Sequence, residues 1–147
     1  MAPAGNSLDR SAIIRNAAEL IDADNAEGRG LDALSLKRIA AKAGVTHPAR
    51  YRHVANLDDV WRDVGLAART QLADSLAEAA IGVSEGAAVR AIAAAWRDFG
   101  RKHPGRYRST ERSPVSGNAA LEAAVQRVVD VIVRSLRSYG LPEDDLI

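Results

Sequence analysis

Apolar residues recur at helical spacing along most of the chain. Ile13, Ile14, Ala17, Leu20 and Ile21 share one face of a helix that Ser7 or Asp9 can cap and that Gly28 and Gly30 end. Ser35 is placed to cap a short second helix with Leu36, Ile39, Ala40 and Ala43 on its apolar face, interrupted at Gly44. Thr46 can cap a third, very short helix, with Pro48 in a first turn that needs no backbone donor. Asn56 opens a long fourth helix, and Asp58 and Asp59 complement its dipole. Val60, Trp61, Val64, Ala68, Leu72, Leu76 and Ala79 share its inner face. After a turn at 82–86, Val89, Ile92, Ala95, Trp96 and Phe99 predict a fifth helix over 87–102 with those residues inward. His103-Pro104-Gly105 stops it, and a short turn is expected to hold Tyr107. Beyond a loop at 113–118, Leu121, Val125, Val128, Val129, Ile132 and Leu136 predict a last helix over 119–139, with Gly140 as its stop. No segment sustains the period-two alternation of a strand, so the expected class is all-α. Residues 141–147 read as a turn and the acidic first turn of another helix, so the chain is expected to lack a C-terminal portion.

Composition narrows the function classes. A chain of 147 residues, 47% of them hydrophobic, can bury a core and is not disordered. It has no cysteine, which excludes disulfides, zinc–thiolate sites and thiol catalysis. No apolar run approaches the roughly 20 residues that span a bilayer, and no signal peptide is evident. No membrane partner is expected, and the expected compartment is the cytoplasm. The net charge of +1 says nothing about partners. Its distribution says more. Between Asp32 and Asp58 there is no acid, while Lys37, Arg38, Lys42, Arg50, Arg52, His47 and His53 all fall there. Such a stretch is either a solvated face or a surface for an anionic partner.

The local pattern favours the partner. Residues 35–53 read as helix, glycine turn, helix, a unit whose second helix can lie in the DNA major groove. Small Ala40 lets the helices cross closely, Gly44 suits a left-handed turn, and Val45 plugs the angle between them. The exposed face of the second helix offers Thr46, His47, Tyr51, Arg52 and His53 to phosphates and base edges, and the helix starts at Ser35 and Thr46 offer free backbone donors. Spacing alone leaves an accidental Ala-x-x-x-Gly open, and His53 equally suits a helix cap or core edge. His47 and His53 are too far apart on a helix to form a metal pair. No Ser/His/Asp group, glycine-rich phosphate loop or metal-ligand spacing supports catalysis, so neither enzyme activity, cofactor nor metal is expected.

The segment LSLKRIAAKAGVTHPARYRHVANLDDVW, residues 34–61, resembles the DNA-binding domain of the tetracycline-repressor (TetR) family, whose recognition helix ends in a pattern matched by Tyr51-Arg52-His53-Val54. WRDFGRKHPGRYRST, residues 96–110, with the loop and long helix after it, is similar to a common TetR-type ligand-binding domain. The resemblance implies a three-helix DNA-binding domain over 1–55 and a helical ligand-binding and dimerisation domain over 56–147, C-terminally incomplete. It implies a homodimeric bacterial regulator, usually a repressor, that binds a palindromic double-stranded DNA operator and is released by a small-molecule effector. Carried over by position, Ser35, Lys37, Thr46, His47, Arg50, Tyr51, Arg52 and His53 face DNA. Arg50 replaces the family's usual inward leucine, and Leu57 stands where a lysine commonly touches phosphate. Trp96, Phe99 and Tyr107 are candidates to line a mostly apolar effector pocket; the same spacing suits plain core. The alternative to DNA binding is a helical interaction module that kept the fold.

Overall fold

A computed structural model describes residues 9–45 and 54–140. Six α-helices make up most of the described residues: α1 (Arg10–Ala26), α2 (Leu36–Lys42), α3 (Leu57–Ala79), α4 (Glu85–Lys102), α5 (Pro104–Arg112) and α6 (Ala119–Leu136). They contain no strand. The third helix expected from Thr46 lies outside the described residues.

Local chemistry sets the helix starts. The Asp9 carboxylate accepts from Ala12 N at 2.6 Å, Ser35 Oγ from Arg38 N at 3.3 Å, and Asn56 Oδ1 from Asp59 N at 2.9 Å. Each satisfies a backbone donor that a helix start leaves open. At the end of α2, Gly44 takes φ of 68°. Its N–H reaches Ala41 O, and Val45 N reaches Ala40 O, both at 3.1 Å. This paired closure caps the last carbonyls of α2 and turns the chain sharply, as the glycine predicts. At the far end of the chain, Gly140 ends a 3-10 turn at Arg137–Tyr139 with φ of 66°.

Two apolar clusters hold the helices together. Ile13, Ala17 and Ile21 of α1 meet Leu34, Ile39, Val54 and the first turns of α3 (Val60, Trp61, Val64). Leu72, Ala73 and Leu76, further along α3, meet Ile92 and Phe99 of α4 and Val128 and Val131 of α6. One helix therefore serves both cores. Leu57 packs half-buried against the first.

The structure corrects four details. Helix α4 begins at Glu85, inside the expected turn, and its inner stripe is Ala88, Ile92 and Phe99. Val89, expected inward, is 39% exposed, because Ala88 takes the inner place in the first turn; Ile92 and Phe99 are inward as expected. Tyr107 lies on a nine-residue helix, not a turn. Pro104 occupies its start, where a missing N–H costs nothing. The inner stripe of α6 is Leu121, Ala124, Val128 and Val131; Val125, Val129, Ile132 and Leu136 are half-buried beside it. Gly105 permits the close approach of α5 to α1, since a Cβ there would run into the Ile21 carbonyl.

Candidate nucleic-acid interface and effector domain

Of the eight residues expected to face DNA, Ser35 and Lys37 are described. Thr46, His47, Arg50, Tyr51, Arg52 and His53 lie outside the described residues. Ser35 is half-buried as the cap of α2. Lys37 is exposed and forms no ion pair with another described residue. The neighbouring cations are engaged. Arg38 donates to Asp24 at 2.7 Å and to Ala33 O at 2.8 Å, and Lys42 Nζ lies 2.9 Å from Glu19. The stretch that lacks acids of its own thus draws carboxylates from α1.

Asp24 is the hub of this arrangement. Its side chain is buried and also accepts from Arg29 Nε at 2.8 Å. The Arg38 hydrogen bond, against the opposing cost of burial and with help from Arg29, holds its carboxyl below the usual range. The Lys42 contact likewise lowers Glu19. Asp24 is not among the residues expected from the sequence, yet a signal was present. Asp24 falls on the same helix face as Ile13, Ala17 and Ile21, where an acid needs a partner.

Helix α5 is fastened to α1 and to the turn after it by polar contacts along its length. Asp22 accepts from Arg106 N at 3.0 Å, forms an ion pair with Arg106 Nε at 2.9 Å, and lies 3.4 Å from His103 Nδ1. Arg108 donates to Asn25 at 3.1 Å, and Arg112 to Asp32 at 2.6 Å. On the α3 side, Arg69 is buried and donates to the Thr110 and Ser113 carbonyls. Burial lowers its pKa, and no carboxylate among the described residues offsets it. Arg69 was not foreseen from the sequence, although it lies on the apolar stripe of α3 between Trp61 and Leu76.

The three candidate effector residues come together. Phe99 is buried in the second cluster, with Trp96 and Tyr107 half-buried against it. Trp96 Nε1 donates to Tyr107 Oη at 3.2 Å, and the Phe99 ring lies 5.3 Å from that of His103. A separate groove of about 310 Å³ is lined by Ala77, Ile81, Val83, Ala88, Val131 and Arg134 among others, and by none of these three. Arg97 and Arg101 face solvent. No cluster of three or more potential metal ligands occurs among the described residues, and none of their helices is long and apolar enough to cross a membrane.

Residues 89–147 match the tetracyclin repressor-like, C-terminal domain. That match identifies a tetracyclin repressor-like C-terminal domain in this part of the chain. Over 135 residues it is 30% identical to an uncharacterized HTH-type transcriptional regulator of Mycobacterium tuberculosis, covering 91% of this chain and 60% of that one. It is 27% identical over 100 residues to a second such regulator, from Bacillus subtilis, covering 68% of this chain and 50% of that one. The chain therefore spans about half to 60% of these relatives' lengths. A possible TetR family transcriptional regulator from Streptomyces coelicolor superposes with a TM-score of 0.67 at 24% identity, over 94% of this chain and 62% of the other. A Rhodococcus protein described as of unknown function gives 0.70 at 22% identity, over 91% and 73%. Both share the all-helical fold with this chain.

Proposed function

We propose that this chain is a DNA-binding transcriptional repressor that acts as a homodimer on a palindromic operator and is released by a small, mostly apolar effector. The observation that carries the reading is α2 with its glycine-closed turn, in a chain whose relatives are named as HTH-type regulators. In this reading residues 1–55 bind DNA, through Lys37 and the 46–53 segment. Ser35 contributes the start of α2. Residues 56–147 take the effector near Trp96, Phe99 and Tyr107. Ile81, Val83, Val89 and Tyr139 are exposed apolar residues, which suits a surface covered by a second copy. The alternative, a helical module without DNA binding, has no feature in its favour among the described residues.

The test is a mobility-shift and footprinting experiment with the DNA upstream of the chain's own gene. Two protected half-sites one helical turn or a multiple apart support the reading. Absence of any specific shift at low salt overturns it. A confirmed effector whose response is unchanged in Phe99→Leu would move the effector site elsewhere while leaving the DNA reading intact.

A further inference from the structure

We infer a second ligand site, for a medium-chain aliphatic carboxylate, in the groove where the end of α3 and the start of α4 meet α6. The groove has a volume of about 310 Å³ and is lined by Ala77, Ala80, Ile81, Val83, Ala88 and Arg134 among others. It is separate from Trp96, Phe99 and Tyr107, and it does not rest on the DNA-binding reading.

The walls specify an alkyl chain. Pockets for small molecules begin at about 300 Å³, so this one takes a small ligand rather than a drug-sized one. Leu72 and Leu76 fill the space between the helices earlier along α3. In its last turn Ala77 and Ala80 stand there instead, with buried Ala88 opposite, and their short side chains leave the groove open. Val131 closes it from α6. Ile81 and Val83 lie at its rim, 77% and 42% exposed, so an apolar chain laid along the groove removes aliphatic surface from water. No described lining residue is aromatic, and nothing there offers a planar ring a stacking partner.

Charge specifies one end of the ligand. Among the described lining residues Arg134 carries the one charge, and none is acidic. Arg62, Arg112 and Arg127 meet Asp59, Asp32 and Asp74, whereas Arg134 forms no ion pair with a described carboxylate. Asp130, one turn back on α6, and Glu78 and Glu85 on the neighbouring helices are exposed and do not line the groove. Ser135 Oγ donates to Val131 O at 2.9 Å. Ser84 also lines the groove and makes no capping bond to the start of α4, so its O–H can join Arg134 at the head group. A carboxylate matches the guanidinium in charge and can accept two parallel N–H bonds from it.

The position gives the site a consequence. The first turns of α3 belong to the core that includes Ile39 of α2, and its later turns to the core shared with α4 and α6. A chain held between the last turn of α3 and α6 therefore loads the far end of the helix that packs beside α2.

The test is methyl NMR of the full chain with sodium octanoate, kept below the concentration at which it forms micelles. The Ile81, Val83 and Val131 signals should move saturably, with Ile81 assigned by Ile81→Val, while those of Ile13 and Ile39 in the first core stay in place. Butyrate keeps the charge and loses four methylenes, so it should bind at least about tenfold more weakly. Arg134→Gln should weaken octanoate at least about fivefold, in line with a lost charged hydrogen bond, and leave 1-octanol within about twofold. Ala80→Leu fills the floor and should abolish binding of both, with the unchanged first-core signals reporting that the variant is folded. The inference fails if octanoate gives no saturable shift, if butyrate matches it, or if Arg134→Gln weakens octanol as much as octanoate. It also fails if protein concentration alone moves the same signals, because a second copy then covers the groove. None of these readouts involves DNA, so failure here leaves the regulator reading standing, and the reverse also holds.

Discussion

At the scale of single residues, two helical glycines make opposite predictions. Gly100 in α4 has open space where a Cβ would sit, whereas at Gly105 in α5 a Cβ would collide with the backbone of α1. Gly100→Ala should stabilise the protein by about 0.5–1 kcal/mol, by removing the entropy that glycine loses in a helix. Gly105→Ala should destabilise it by about 1–3 kcal/mol, because backbone cannot yield as a side-chain tip can. Urea unfolding of both variants checks this, and a stabilised Gly105→Ala would mean that α5 does not sit tightly on α1. Asp24 predicts a pH dependence. Its carboxyl titrates below its unfolded value of about 3.9, so its contribution is fully present above that pH and is lost as pH falls through the lower, folded value. Asp24→Asn should therefore be less stable than the native chain near pH 7, with the gap closing as the pH drops below about 4. A gap that stays constant down to pH 2.5 would show that the pairing with Arg38 and Arg29 contributes through geometry rather than charge.

At the scale of elements, what was legible in the sequence is what short-range chemistry determines. Asp9, Ser35 and Asn56 cap their helices because the acceptor and the open N–H groups lie within three residues. Gly44 was legible because a left-handed turn admits few other residues. Helix α5 was not, because its sequence, PGRYRSTER, is mostly polar and begins with two residues that usually punctuate helices. It folds because it lies between α1 and α3, and its partners are distant in sequence: Asp22, Asn25 and Asp32 on one side, Arg69 on the other. For the same reason the first turn of α4 was misread at Val89, while Ile92 and Phe99 are inward as expected. Ala87, Ala88 and Val89 are apolar in succession, so tertiary packing selects which of them is buried. This predicts that Asp22→Ala, which removes the acceptor of the Arg106 backbone N–H and the ion pair with the Arg106 side chain, costs about 1–3 kcal/mol. Hydrogen exchange should rise first in α5, before α6. Equal loosening of both would mean that α5 is held by its apolar contacts alone.

At the scale of the whole molecule, α3 runs through both cores, so a displacement of its second half is felt beside α2. The basic stretch that drew attention in the sequence divides by role once folded. Arg38 and Lys42 close α2 onto α1, while Lys37 stays exposed and makes no ion pair with a described residue. Of the described cations in that stretch, Lys37 alone has no acidic partner among the described residues, a distinction the sequence hid because Asp24 and Glu19 lie on another helix. DNA affinity should fall steeply with salt as bound counterions are released. Lys37→Ala should weaken binding similarly across sequences and reduce the slope of log affinity against log salt by about 1, the signature of one lost phosphate contact. Lys42→Ala should leave that slope unchanged, since its charge is already met by Glu19. Anisotropy titrations of labelled operator at several salt concentrations measure both slopes. If Lys42→Ala flattens the slope as much as Lys37→Ala, the pairing with Glu19 opens on DNA, and the face presented by α2 is broader than the free protein shows. If neither changes it, the phosphates are held from elsewhere and α2 serves only to position its neighbour.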